Sequence, residues 1–271
     1  MLYSLALAIL ATAPTQGGDL KLTNVRMTIG ELGPTRSTSR FLPGDVVFIG
    51  YDITGLNVAP DGKVKYRMAM EVADGTGKPI FKQDARDLED FVPLRGNVIP
   101  ARAFITIGLD QDPGSYTCKI TVSDPQTKGK EDSLAVKFEV GKRDFGIVQV
   151  YPAFDELGRI NAPATAVVGQ TLFIQYSIAS FQRDAKTRQP NVLLEVQIVD
   201  EKGSPILEKP STVIQDDKAV LLVDEKEGAF AMRYPLFVNR PGKFTVKITA
   251  TDRVANKKST FDLPVTVLPA N

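Results

Sequence analysis

The chain has no histidine, no tryptophan and a single cysteine among its 271 residues. Without histidine it lacks the side chain that most often serves as general base and metal ligand near neutral pH. One cysteine can neither close an intrachain disulfide nor supply a thiolate zinc site. Charge of one sign is also missing. The 33 Lys and Arg against 32 Asp and Glu leave a net charge of +1, which gives no electrostatic basis for binding nucleic acid or an anionic membrane. No run reaches the roughly 18 apolar residues that a transmembrane helix needs. These absences argue against hydrolase triads, zinc enzymes and nucleic-acid binders. The expectation is a protein that is not an enzyme and holds no cofactor.

What is present begins with a ten-residue apolar run, Leu2 to Ala11, followed by small and polar residues to Gly18. That length suits the apolar region of a secretory leader rather than a membrane span, although no Lys or Arg precedes it. Residues 1–18 are therefore read as a signal peptide, and the mature chain as exported to the periplasm, cell envelope or medium.

The strongest signal is an internal repeat. Shifting the chain by about 125 residues brings its halves into register. Leu22-Thr23-Asn24-Val25 falls on Ile147-Val148-Gln149-Val150, Glu31-Leu32-Gly33 on Glu156-Leu157-Gly158, and Gly44 on Gly169. Near the end, Pro113-Gly114-Ser115-Tyr116-Thr117-Cys118 falls on Pro241-Gly242-Lys243-Phe244-Thr245-Val246. The spacing within these segments is two. Tyr116, Cys118, Ile120 and Val122 share one face, as do Phe244, Val246, Ile248 and Ala250. Strict alternation marks half-buried antiparallel strands. Asp74–Gly77 and Asp200–Gly203 have the composition of hairpin loops.

Several such strands per repeat, with turn signals between them and no amphipathic helix, describe two tandem antiparallel β-sandwiches at residues 19–141 and 145–271. The link around Gly141-Lys142-Arg143-Asp144 is too short for independent tumbling, so the sandwiches should sit end to end. Residues 82–100 and 208–227 read as long connections projecting from the sandwiches. Pro264 and Lys137, which occupy equivalent places, suit strand edges.

Asp112-Pro113-Gly114-Ser115-Tyr116-Thr117-Cys118 resembles the strand-F signature of immunoglobulin domains, Asp-x-Gly-x-Tyr-x-Cys. The second copy departs from it with Arg240, Phe244 and Val246, and no second Cys or Trp accompanies either copy. The disulfide-bonded antibody type is therefore excluded. The chain is similar to the tandem Ig-like or fibronectin-like β-sandwiches of exported bacterial proteins. That resemblance implies an Ig-like fold, with Tyr116 making a corner hydrogen bond and Cys118 facing the core, and it names no ligand.

Each remaining candidate has a plain reading. Cys118 matches Val246 on an inward register and is expected as a small core hydrophobe, and Phe244 as the structural counterpart of Tyr116. Met68 and Met70 match Leu194 and Val196 and belong to the core. Asp84, Asp87, Glu89 and Asp90, with Asp110 and Asp112, offer oxygen ligands but no calcium-loop spacing, so a solvated loop is expected and no metal. Phe91, Val92 and Leu94, in the first long connection, are the candidates for an exposed apolar strip that binds a partner. The resulting expectation is a protein-interaction or structural module of the cell envelope with an unidentified protein partner. The alternatives are a carbohydrate- or calcium-dependent adhesin, whose acidic loops would converge on one ion, and a two-domain periplasmic chaperone.

Overall fold

The computed structural model describes residues 18–212 and 222–270. The proposed leader thus lies outside the described residues except for Gly18, as do residues 213–221 of the second long connection. The first eight strands are β1 (Lys21–Thr28), β2 (Arg40–Phe41), β3 (Val46–Thr54), β4 (Lys63–Ala73), β5 (Pro79–Phe91), β6 (Val98–Thr106), β7 (Gly114–Ser123) and β8 (Glu131–Val140). The second eight are β9 (Gly146–Ala153), β10 (Thr165–Val167), β11 (Thr171–Ala179), β12 (Val192–Asp200), β13 (Ser211–Thr212), β14 (Ala229–Phe237), β15 (Gly242–Asp252) and β16 (Lys257–Leu268).

They form four sheets. A three-stranded sheet β1-β3-β6 faces a five-stranded sheet β2-β8-β7-β4-β5, and β9-β11-β14 faces β10-β16-β15-β12-β13. Each strand of the first sandwich thus has its counterpart eight places later, in the same sheet position. The internal repeat of the sequence is a repeat of topology.

Alternation puts the expected residues inside. Tyr116, Cys118, Ile120 and Val122 of β7 are at most 5% exposed, and Val246, Ile248 and Ala250 of β15 are fully buried. Separate apolar clusters fill the two sandwiches, one around Tyr51, Ile53 and Ile120 and the other around Tyr176, Leu194 and Ile248. Burial at roughly 25 cal/mol per Å² of apolar surface holds each pair of sheets together. Lys137 and Pro264 occupy one structural place. The short strand β2 meets β8 only from Glu139, and β10 meets β16 only from Thr266, so both residues lie just outside that cover. A proline there costs no ladder hydrogen bond.

Residues 82–100 depart from expectation. Most of them belong to β5, which pairs with β4 from Lys63↔Phe91 to Ala73↔Pro79. Only Gln83 and Leu88 of β5 are even half-buried. The strand has almost no apolar face, because it runs along a sheet edge with solvent on both sides, so period-two hydrophobicity is missing. Its charges are paired with the neighbouring strand instead. Arg67 meets Asp87 at 2.6 Å, and Lys65 meets Glu89 at 3.4 Å. Charged edges of this kind discourage strand addition.

Both first strands carry the same irregularity. The register of β1 against β3 shifts between Thr23 and Arg26, and that of β9 against β11 between Val148 and Tyr151. At the shift Asn24 (φ 51°) and Gln149 (φ 54°) adopt the left-handed conformation, which lets the extra residue of a β-bulge turn out of the ladder. Each side chain bonds across to β3 or β11, Asn24 to Asp52 and Gln149 to Ser177.

The bulge at Gln149 is also where the sandwiches meet. Its backbone N–H donates to Asp45 Oδ1 at 2.9 Å, and its side-chain amide donates to the Gly44 carbonyl at 2.8 Å. The other Asp45 oxygen holds Arg36 at 3.1 Å, with the two side chains 5% and 12% exposed. The Arg36 guanidinium lies over Phe41 of its own sandwich, 4.2 Å from the ring centroid, and 5.6 Å from Phe261 of the other. Ile29, from the loop after β1, belongs to the apolar cluster of the second sandwich. Glycines permit the close approach. A Cβ on Gly146 would lie 2.2 Å from Leu42 Cδ1, and one on Gly30 would lie 2.5 Å from the Tyr151 Cβ.

Candidate interaction surfaces

The end of the first sandwich away from this junction carries the candidates chosen from sequence. Phe91 closes β5, and the chain then turns: Val92 N–H donates to the Gly62 carbonyl at 2.8 Å, and Arg95 N–H to the Val92 carbonyl at 3.1 Å. Phe91 lies across Gly62, where a Cβ would come within 2.8 Å of the ring. Phe91 is 62% exposed and Leu94 94% exposed. Val92 is a correction to the expected strip. Its side chain packs against the core of the first sandwich and anchors the turn rather than joining Phe91 and Leu94 outside. At the same end an open cleft of about 680 Å³ is lined by Gly18 to Leu20, Asn57 and residues 127–131.

The acidic residues do not converge. Asp84, Asp87, Glu89 and Asp90 are spread along β5, with Arg67, Lys65 and Lys82 drawing three of them and the Tyr66 hydroxyl donating to Asp90 at 2.7 Å. Arg67 holds the Asp87 carboxyl below the usual carboxylate range. Asp110 and Asp112 precede β7, whose start pairs with the end of β8, at the opposite end of the sheet from Asp90. The single-ion arrangement expected of a calcium-dependent adhesin is thus replaced by ion pairs across to β4 and along β5. The cause is that β5 is a strand and not a loop.

Tyr116 is 5% exposed, and its hydroxyl donates to the Asp112 carbonyl at 2.7 Å while accepting from the Gln111 amide at 2.8 Å. The second copy changes both partners together. Arg240 stands where Asp112 stands, and its guanidinium lies 5.2 Å from the Phe244 ring centroid, so a cation–π contact replaces the hydrogen bond. Cys118 is fully buried, and burial pushes its thiol up to about 12, which leaves it a neutral core side chain. Met70 is buried, and Met68 packs on the core with its sulfur accepting from the Tyr51 hydroxyl at 3.0 Å.

The far end of the second sandwich differs in its filling from the equivalent end of the first, which lies at the junction. In the first sandwich Phe41, Phe138 and Tyr116 form an aromatic cluster, with Phe138 edge-on to Phe41 at 6.1 Å and stacked on Tyr116 at 5.6 Å between centroids. Their counterparts are Ala166, Val265 and Phe244. Two rings are missing, and a cavity of about 310 Å³ opens among Ile198, Leu207, Leu236, Phe244, Val265 and Val267. The period-two pattern pointed to neither this cavity nor the junction. The signal for both lay in the places where the copies disagree, Phe41 against Ala166 and Gly146 against Lys21.

No family model matches the chain, and no curated protein matches it. Solved structures do. A transglutaminase of red sea bream is matched over 93% of this chain with 11% identity and a TM-score of 0.28. The chain spans 31% of that protein's length. The C-terminal domain of the AgI/II polypeptide BspA of Streptococcus agalactiae is matched over 91% of this chain and 100% of its own, with 8% identity and a TM-score of 0.30. The expectation that the chain is not an enzyme is withdrawn, because one of the folds it matches belongs to an enzyme. At this TM-score the likeness carries no argument for a particular activity here. Among the described residues no helix is long and apolar enough to cross a membrane.

Proposed function

We propose that the chain is a protein-interaction or structural module of the cell envelope, exported and built from two tandem Ig-like sandwiches at residues 19–141 and 145–271. One observation carries this reading. Phe91 and Leu94 project from a braced turn at the free end of the first sandwich, 62% and 94% exposed. Large apolar side chains held outward on an anchored turn suit the buried centre of a protein contact. The Ig-like assignment is supported by the bond from Tyr116 to the Asp112 carbonyl four residues upstream. Export is supported by the apolar run from Leu2 to Ala11.

The test is a photo-crosslinking residue placed at Leu94 in the full chain expressed in its own cells. The expected result is one discrete adduct with a different protein, lost when Phe91 is replaced by Ser. Adducts no more abundant than those from the same residue placed at the exposed Lys202 would overturn the reading.

A further inference from the structure

The junction is heterologous: the lower end of the first sandwich meets the upper end and first strand of the second. Because both sandwiches share one topology, the second sandwich has its own copy of that lower end, and the first has its own copy of that receiving strand. We propose that these unused surfaces join head to tail, so that the second sandwich of one chain docks on β1 of a second copy. The proposal rests on reading the chain as an interaction module and names its partner at a surface other than Phe91 and Leu94.

The docking loop is built alike in both copies. In the first, residues 29–36 are tied down by Glu31 to Arg102, and in the second, residues 154–161 by Glu156 to Arg233. What the loops present differs in exposure. Ile29 is 6% exposed within the apolar cluster of the next sandwich. Its counterpart Phe154 is 45% exposed, with Leu157 and Ile160 of the same loop at 65% and 59%. Val167, in the place of Leu42, is 37% exposed. Apolar side chains left in this number on one loop mark an interaction surface.

The receiving strand shows the converse. Val150 of β9 is 5% exposed in the cluster that includes Ile29, whereas its counterpart Val25 of β1 is 44% exposed. Asn24 repeats the left-handed bulge with which Gln149 meets Gly44 and Asp45. Carried over by repeat equivalence to a pair of chains, the junction sets Asn24 against Gly169 and Gln170, and Phe154 over Val25.

One contact changes in a matched pair. Gly30 against Tyr151 becomes Asp155 against Arg26. The replacement brings opposite charges together, and Arg26 is one-third exposed at its side chain. The fit differs at one point. Lys21 stands where Gly146 admits Leu42, and there the shorter Val167 meets a flexible lysine stem. A heterologous contact of this kind extends into rings or filaments rather than stopping at a symmetric dimer.

The test is sedimentation velocity on the purified mature chain over a hundredfold concentration range, with Val25→Asp and Phe154→Asp as end-blocking variants. Both replace exposed side chains, and circular dichroism verifies that each remains folded. The wild-type chain is expected to rise from the mass of a single chain to species of two and more chains. Each variant alone should need at least tenfold more protein to associate. Mixing the two, each with one working end, should restore a species of two chains and no larger one. A wild-type chain monomeric throughout, assembly indifferent to both variants, or a mixture that stays monomeric would overturn the proposal. Any of these would leave the crosslink at Leu94 as a separate result.

Discussion

Replacing Asp45 by Ala is the sharpest perturbation of the junction. The carboxylate does three things at once. It pairs with Arg36 at 3.1 Å, accepts the Gln149 N–H at 2.9 Å and accepts the Val46 N–H at 2.9 Å. Both partners of the ion pair are nearly excluded from water, so its loss strands a buried guanidinium. Breaking such a pair on one side costs about 3–5 kcal/mol. The orphaned Gln149 N–H adds to this within the usual ~1–3 kcal/mol for an unsatisfied buried donor, without simple additivity. A net loss of about 3–5 kcal/mol is a large part of the ~5–15 kcal/mol by which a domain is stable. Urea unfolding followed by circular dichroism and tyrosine fluorescence reads it as a lower midpoint. It should also split one transition into two as the sandwiches uncouple. Adding Arg36→Met removes the stranded charge and should recover at least half of the loss. A single variant within ~0.5 kcal/mol of wild type, or a double variant worse than the single, would refute the reasoning.

Three further outcomes follow from the same contacts. Gly146→Val should destabilise by about 1–3 kcal/mol through overpacking against Leu42, whose Cδ1 lies 2.2 Å from the position of a Cβ, and Leu42→Ala should relieve it in urea titrations. Tyr116→Phe should cost about 1 kcal/mol by removing the bond to the Asp112 carbonyl, measured the same way. Cys118 should resist thiol reagents in the native chain. Its thiol ionises near 9 when unfolded and is held up to about 12 by burial when folded. The stability contributed by the neutral thiol is therefore complete below pH 9 and falls as pH rises from 9 toward 12, by up to roughly 4 kcal/mol at ~1.36 kcal/mol per unit, read as the difference in urea midpoints between wild type and Cys118→Val across that range.

Strands with one dry face were legible because burial imposes a period of two. β7 and β15 could be read residue by residue, down to Tyr116 and Cys118. Strand β5 could not, since an edge strand paired through Arg67–Asp87 and Lys65–Glu89 has no apolar face to alternate, and its charges imitate a loop. The candidate surface was half legible. Phe91 and Leu94 are exposed, but Val92 points inward because the turn needs an anchor, and that direction depends on where the core lies. The junction was invisible for another reason. Asp45, Arg36 and Gln149 are residue types that ordinarily face water, and only their meeting across two sandwiches buries them. The repeat held a subtler trace of it. Gly146 against Lys21 and Ile29 against Phe154 are mismatches between copies that otherwise agree.

The claim on which the rest depends is that the two sandwiches are held in one fixed arrangement. Paired spin labels at Lys65 on β4 and Lys247 on β15, both exposed, report it directly by pulsed electron resonance in a Cys118→Val background. The account predicts a single narrow distance distribution in the wild-type junction that broadens when Asp45 is replaced by Ala. A distribution already broad with Asp45 in place would contradict it.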